Sequence, residues 1–260
     1  MTPDGIAARA QFARQLARDA GALAWRYFKR DIAYTTETKG PQDFVSIADR
    51  AVEALIRERL NAAFPGDTMY GEEAGGEVGE HAWFVDPIDG TINFVHGVRY
   101  WCISIAFLVR GERRIGVIYD PALDELFAAV HGQGAFCNDV AMRVSACDRL
   151  DSALVCAGYV PRQELDDHLR VRRRLYNAGV AVKDMGAGAL MLAHVAAGRF
   201  DGYFEPHMHA WDALAGLLLV EEAGGRTHAY PGSSGLSAGG QVLASAPGLY
   251  AALERVTRHD

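Results

Sequence analysis

The sequence predicts two joined architectures, an α+β amino-terminal half and an α/β carboxy-terminal half, and three patterns carry that prediction. Residues up to about 64 place apolar side chains at helical spacing. Residues 100–130 switch to short apolar runs separated by turn residues, the mark of an antiparallel meander. Beyond about residue 145 strand-like and helix-like segments alternate.

Taken in order, Ile6, Ala10, Ala13, Leu16, Ala20, Leu23, Ala24, Tyr27 and Phe28 line one face of a helix over about 4–29. A second helix runs from about Ser46 to Phe64 on Ala48, Val52, Leu55, Ile56, Leu60 and Ala63, and Pro65-Gly66 ends it. Thr38-Lys39-Gly40-Pro41-Gln42-Asp43 between them reads as a polar loop rich in breakers. The meander comprises Trp101 to Val109, Ile115 to Tyr119 and Glu125 to Val130, with turns at Arg110-Gly111-Glu112 and Asp120-Pro121-Ala122. A strand at Ala153 to Ala157 and helices at Gln163 to Asn177 and Ala187 to Ala197 come next. Asp201 to Phe204, Asp212 to Ala223 and Gln241 to Ala244 complete the series as strand, helix and strand. No linker or repeat interrupts the chain. A soft boundary near 140–150 divides it into residues 1–145 and 146–260, two halves expected to share one cleft.

At 260 residues and 50% hydrophobic, the chain can build one large core or two modest ones. A formal charge of −7 argues against a general binder of nucleic acid or of membrane surfaces. Met1-Thr2-Pro3-Asp4-Gly5 lacks the basic and apolar regions of a signal peptide, and no apolar stretch reaches membrane-spanning length. Cys102, Cys137, Cys147 and Cys156 show no Cys-x-x-Cys spacing and read as reduced, mostly buried thiols, so a cytoplasmic location is expected.

Chemistry concentrates in Ala82-Trp83-Phe84-Val85-Asp86-Pro87-Ile88-Asp89-Gly90-Thr91. A short apolar run, read as a buried strand, stops at two aspartates three positions apart. An Asp at a strand end and another one turn later can aim both carboxylates at one point. Converging carboxylates repel unless hard cations lie between them, which favours a Mg²⁺ or Mn²⁺ site with oxygen ligands. Asp-Pro and Asp-Gly are also ordinary turn formers, so on this segment alone both readings stand. Two further acidic segments tip the balance. Met69-Tyr70-Gly71-Glu72-Glu73 puts a carboxylate pair after a β-prone stub, and Asp212 precedes the apolar run Ala213 to Val220 as helix N-cap, metal ligand or both.

Asp86-Pro-Ile-Asp-Gly-Thr-x-Asn-Phe-Val-His96, Gly71-Glu-Glu73 and Trp211-Asp212 with Glu221-Glu222-Ala223-Gly224-Gly225 resemble the inositol monophosphatase family, over about residues 5–257. These are Mg²⁺-dependent, lithium-sensitive sugar-phosphate phosphatases. The resemblance implies a layered αβαβα sandwich and, through it, a hydrolase of myo-inositol monophosphate and similar small polyol phosphates. It implies two to three Mg²⁺ ions, with Mn²⁺ a substitute. Glu72, Asp86 and the backbone oxygen of Ile88 would hold the first ion; Asp86, Asp89 and Asp212 the second; Glu72, through water, a weaker third. Thr91 would bind the attacking water, Glu72 would help take its proton, and Asp49 would fix the threonine hydroxyl. Gly90, Thr91 and Ile92, where a short helix should begin, would cradle phosphate, and Gly186, Gly188, Glu205 and Asp212 would meet the substrate. A homodimer is implied. So is, from some bacterial relatives, a regulatory role at the transcription machinery, RNA polymerase included.

Three positions depart from the family's pattern. Ile92 replaces a common threonine, the loop at Lys39 is one residue short, and Lys183-Asp184-Met185-Gly186 replaces an arginine-bearing segment. The last two leave open the same chemistry on histidinol phosphate, fructose 1,6-bisphosphate, NADP or an adenosine bisphosphate. Asn93-Phe94-Val95-His96 favours the inositol branch.

Other motifs carry less. Gly235-Leu236-Ser237-Ala238-Gly239 matches a nucleophile elbow without the strand before it or the helix after it, and reads as a loop. Gly132-Gln133-Gly134 and Gly186-Ala187-Gly188 lack the third glycine of a dinucleotide fingerprint. His207 and His209, expected on a short loop, read as pocket lining rather than zinc ligands. Arg170, Arg172, Arg173 and Arg174 read as a solvated helix face.

Overall fold

A computed structural model describes residues 2–33, 36–40, 43–159, 164–232 and 235–258, without the side chains of 36–40 and 43–46. Helix α1 (Pro3–Phe28) is capped by Thr2, whose hydroxyl accepts the Gly5 N–H, and its Ala10, Ala13, Leu16, Ala17, Ala20 and Ala24 are buried. A hairpin of β1 (Thr36–Gly40) and β2 (Asp43–Ser46) follows, where a polar loop was expected. Thr36, Thr38, Phe44 and Val45 are strand-favouring residues, and they outweigh the breakers; Pro41 and Gln42 and the side chain of Lys39 lie outside the described residues. Helix α2 (Ile47–Ala63) ends two residues before Pro65.

Strands β3 (Thr68–Gly71), β4 (Gly75–Gly76) and β5 (His81–Asp89) lead into a one-turn helix, α3 (Thr91–Val95). The meander is then β6 (Cys102–Val109), β7 (Glu112–Asp120) and β8 (Glu125–Val130), as the sequence predicts, extended by β9 (Ala135–Cys137) and β10 (Val140–Ala141). A second series runs β11 (Leu154–Ala157), α4 (Leu165–Asn177), β12 (Ala181–Lys183), α5 (Gly188–Ala196), β13 (Gly202–Met208), α6 (Ala210–Glu222), β14 (Arg226–Thr227), β15 (Gly240–Ser245) and α7 (Pro247–Thr257). The expected start of α4 at Gln163 lies outside the described residues.

An eight-stranded sheet is ordered β10-β9-β8-β7-β6-β5-β3-β4, with β3 parallel to β5 and the meander antiparallel. A five-stranded sheet is ordered β12-β11-β13-β15-β14, with β11 parallel to both its neighbours. Side-chain alternation then stacks the layers. From the large sheet, Trp83, Val85, Ile103, Ile105 and Phe107 point to α1 and α2. Ala82, Phe84, Ala106 and Leu108 point the other way, onto α5 and α6. Those two helices also receive Cys156, Tyr203, Val242 and Ala244 from the small sheet. Its opposite face, with Val155, Phe204 and Leu243, packs on α4 and α7. The result is the αβαβα sandwich. Helices α5 and α6 are apolar almost all round because both sides are covered.

Polar ties reinforce the outer layer. Arg9 makes a two-point pair with Asp67 at 2.7 and 2.8 Å, and Trp83 Nε1 donates to the same carboxylate at 3.0 Å. All four cysteines are free thiols, Cys102 and Cys156 buried and Cys137 and Cys147 half-buried. Among the described residues no helix is long and apolar enough to cross a membrane.

Candidate active site

Strand β5 is buried throughout its apolar run and keeps its pairing to the last residue. Asp86 faces Ser104 and Asp89 faces Cys102, so three steps on β5 match two on β6. This is a β-bulge, one extra residue at Pro87-Ile88. Residues three apart in a regular strand point to opposite faces; the extra residue restores a common face, and both carboxylates reach the same point. Sequence spacing suggested a turn after Asp86; the bulge achieves the convergence inside the strand. Asp86 Oδ1 also accepts the Ile88 N–H at 2.8 Å, which holds the bulge closed.

Helix α6 brings the third carboxylate. Asp212 is its third residue, and His209 is the N-cap, so Asp212 does not cap the helix as the sequence suggested. The helix start is fixed by Ser104 Oγ, which donates to the Trp211 carbonyl at 3.0 Å, and by a stack of rings from Phe84 through Tyr70 to Trp211 and His209. His207 lies in β13 rather than on a loop, and its Nε2 meets the Ala238 carbonyl at 2.7 Å. The carboxylates of Asp86, Asp89 and Asp212 lie within 4.8 Å of one another.

Helix α5 anchors Asp89. Its carboxylate accepts N–H groups from Gly188 at 3.1 Å, Ala189 at 2.9 Å and Leu190 at 3.3 Å, together with the Cys102 thiol at 3.4 Å. Glu72 follows β3, its N–H bonded to the Val85 carbonyl at 3.1 Å, and its carboxyl lies beside that of Asp86.

Burial raises the pKa of Asp86, Glu72 and Asp212 well above the carboxylate range, and neighbouring carboxylates raise them further. Asp89 is pushed up to about 6, chiefly by burial, with the α5 N–H groups and the Cys102 thiol pulling it back. So many buried acids cannot all ionise without compensating cations. Oxygen-only donors of this charge fit a hard divalent ion. Asp86, Asp89 and Asp212, with Glu72 beside them, are therefore able to hold metal.

Gly90 caps α3 in the left-handed conformation, φ 93° and ψ 40°. A Cβ there would press to 3.0 Å on Ala187 and 3.1 Å on the Tyr100 carbonyl. Next to it the Thr91 hydroxyl sits 3.3 Å from Asp49 Oδ1 and 3.1 Å from the Ile88 carbonyl, and Asp49 is fully buried. The Ile92 side chain is 40% exposed. Gly186 and Gly188 flank the turn into α5, which Asn93 clips to α3 by donating to the Tyr100 carbonyl at 2.8 Å and the Met185 carbonyl at 2.7 Å. Asp184 is paired with Arg172 at 2.9 Å, so its charge does not stand alone. Arg170 pairs with Asp167, and Arg174 donates to the Arg258 carbonyl.

Glu205 accepts a hydrogen bond from Tyr203, and burial pushes its carboxyl up to about 8. A Cβ on Gly158 would collide with that carboxylate. The structure thus brings Asp49, Glu72, Asp86, Ile88, Asp89, Gly90, Thr91, Gly188 and Asp212 into one region, with Glu205 approaching from β13. Tyr203, Gly158 and Ser104 had no sequence signal, because Gly158 and Ser104 act on partners more than forty residues away and Tyr203 meets Glu205 only through the geometry of β13; Asn93 stood inside the recognised Asp89-Gly-Thr-x-Asn run.

Comparisons with known proteins agree with this geometry. A family model described as the inositol monophosphatase family matches residues 7–259. The chain is similar to inositol-1-monophosphatase of Rhizobium meliloti, 44% identical over 210 residues that cover 78% of this chain and 79% of the relative. It is similar to Nus factor SuhB of Pseudomonas aeruginosa, 37% identical with 89% of each chain covered. Among solved structures, the extragenic suppressor protein suhB of Bartonella henselae superposes with a TM-score of 0.88 at 37% identity, covering 94% of this chain and 96% of that one.

Proposed function

Since this chain belongs to the inositol monophosphatase family, we propose that it hydrolyses myo-inositol monophosphate and related small polyol phosphates to the free polyol and phosphate, using Mg²⁺. The observation that carries the reading is the convergence of buried Asp86 and Asp89 with half-buried Asp212 beside the Thr91–Asp49 pair. Glu72, Asp86 and the Ile88 carbonyl would hold a first ion, and Asp86, Asp89 and Asp212 a second. A third would rest on Glu72 through water, and Mn²⁺ can substitute. When bound, such ions neutralise the phosphate, lower the pKa of a water and stabilise the leaving oxygen.

The chain's own groups supply orientation and proton handling. The single Thr91 hydroxyl hydrogen is directed at Asp49 Oδ1 and the Ile88 carbonyl. Its oxygen lone pairs therefore remain to accept a hydrogen from the attacking water, which fixes that water's position. Glu72, held ionised by the ions it would help bind, is placed to take the proton the water gives up. The backbone N–H groups of Gly90, Thr91 and Ile92, where α3 begins, face the phosphate, and Glu205 accepts hydrogen bonds from polyol hydroxyls near Gly186 and Gly188. In this reading residues 1–145 carry most metal ligands and residues 146–260 carry Asp212 and the substrate contacts. The protein works as a cytoplasmic homodimer.

A panel of phosphate esters tests the substrate. The kcat/KM for myo-inositol monophosphate should exceed those for histidinol phosphate, fructose 1,6-bisphosphate, NADP and an adenosine bisphosphate, and a higher value for any of these would reassign it. The relative named Nus factor SuhB favours a second reading, an added regulatory role at the transcription machinery. Co-purification with RNA polymerase from the native host tests that role, and its absence there would remove it.

A further inference from the structure

Behind Glu72, on the side facing α2, lies an ion pair outside the metal cluster, with its carboxylate buried and its arginine half-buried. Glu53 is 2% exposed, and its carboxylate accepts three hydrogen bonds: the Glu73 N–H at 2.8 Å, the Ala74 N–H at 3.1 Å and Arg57 Nη2 at 2.8 Å. Arg57 continues the grip, donating to the Gly75 carbonyl at 3.0 Å and the Met69 carbonyl at 3.5 Å. The carboxylate also lies against the bare face of Gly71, where a Cβ would collide with it.

These contacts bracket one residue. Gly71 before Glu72 packs on Glu53, and Glu73 and Ala74 after it donate to Glu53. Glu72 itself is bonded through its N–H to β5, the strand that carries Asp86. The tip of the β3–β4 hairpin is therefore held from two sides, by β5 and by α2, and α2 also carries Asp49. So complete a burial of the Glu53 carboxylate is poorly explained by stability alone, because removing a carboxylate from water costs more than its pairing with a half-buried arginine returns. Its geometry answers a different demand, fixing a short turn that backbone pairing leaves without acceptors.

We propose that Glu53, braced by Arg57, is a positioning residue that presents the Glu72 carboxylate to the metal cluster. Only a carboxylate can accept all three donors; the amide of a glutamine would turn hydrogens toward at least one backbone N–H or toward Arg57. The proposal rests on the reading that Glu72 is a metal ligand, and it adds the group that sets its position.

The test is calorimetric titration of the full-length protein with Mg²⁺ alone, run beside thermal unfolding. Glu53→Gln should raise the apparent Kd about tenfold or more, the usual cost of removing a group that orients a ligand. In the Glu72→Gln background the same substitution should add nothing further, because the two act through one contact. Asp67→Asn, which breaks the Arg9 pair between α1 and the start of β3 and touches none of the contacts of Glu53, should lower the melting temperature while leaving the Kd unchanged. If Glu53→Gln folds poorly, Arg57→Met removes only the brace, from a side chain 30% exposed, and should still raise the Kd. Wild-type Mg²⁺ affinity in both variants, or losses that add in the double variant, would overturn the positioning role. A wild-type protein that binds no Mg²⁺ would instead refute the metal-site reading.

Discussion

Replacing Asp89 by asparagine separates what this carboxylate does for the fold from what it does for an ion, and both sides can be worked out. In the ion-free protein the carboxyl titrates at about 6, against 3.8 in the unfolded chain. An acid whose folded value is raised stabilises fully only below the unfolded value, and that stability is lost as pH rises from 3.8 to about 6. At pH 7.5 the ionised group thus costs the fold about 3 kcal/mol, and asparagine removes that cost. Against it, three backbone N–H groups and a thiol converge on two oxygens. An amide keeps one acceptor and strands one or two donors, at about 1–3 kcal/mol. The opposed effects nearly cancel, and at about 2–4 °C per kcal/mol the ion-free melting temperature should move by only a few degrees.

Magnesium breaks the tie. At a hundred times its Kd it should stabilise the wild type by about 2.7 kcal/mol, or roughly 5–10 °C, and Asp89→Asn by a small fraction of that. Turnover should fall by about 10²–10³ or more. Scanning calorimetry with chelator and then with Mg²⁺, followed by phosphate release, measures all three. An equal Mg²⁺-dependent rise in both proteins, or near-normal turnover at saturating Mg²⁺, would refute the reasoning.

Other expectations concern separate parts of the molecule. His194 is buried among Phe127, Phe200 and Tyr100, with Arg199 3.2 Å from Nε2 and Glu125 paired to that arginine, and burial lowers its pKa to about 4. It folds neutral, so its contribution is complete above 6.5 and is lost as pH falls toward 4, about 3 kcal/mol in all; unfolding of His194→Asn followed against pH should show a flatter acid limb than wild type, and parallel limbs would reject the assignment. Lithium should inhibit uncompetitively or nearly so, since it approaches Mg²⁺ in size with half the charge; unchanged turnover at tens of millimolar, with Na⁺ and K⁺ held constant, would count against this. Glu205→Gln should raise KM for inositol phosphate more than it lowers kcat and spare p-nitrophenyl phosphate, the signature of lost uniform binding; equal losses on both substrates would place Glu205 in support of the fold.

Much of this site was legible in the sequence because its parts sit at element ends, where an apolar run stops on an acidic residue. Asp86, Asp89 and Glu72 have that signature, and Asp212 has its mirror image, an acid directly before an apolar run. What escaped was geometry made by partners far along the chain. The bulge at Pro87-Ile88 depends on how β6 pairs, which no local pattern records. Asp212 looked like a cap because aspartate favours that position, yet the chain turns into α6 three residues earlier, at His209. Glu53 and Arg57 stand four apart on a helix, a spacing that normally marks a solvated pair, and only the fold shows that the β3–β4 tip buries Glu53. Strands β1 and β2 were masked by the breakers between them, and β12 and β14, at three and two residues, are too short to carry a period.

The middle helical layer has a consequence for synthesis. Helix α6 holds Asp212, helix α5 grips Asp89, and both are sealed only when the two sheets close over them. A nascent chain that has emerged through β10 already contains Glu72, Asp86, Asp89 and Thr91, but one carboxylate lacks its anchor and the pocket lacks a wall. Such a fragment has the acids of a phosphatase without the chemistry. Catalytic turnover therefore requires the small sheet as well as the large one, and recovered activity on refolding reports that both sheets have closed on the middle helices.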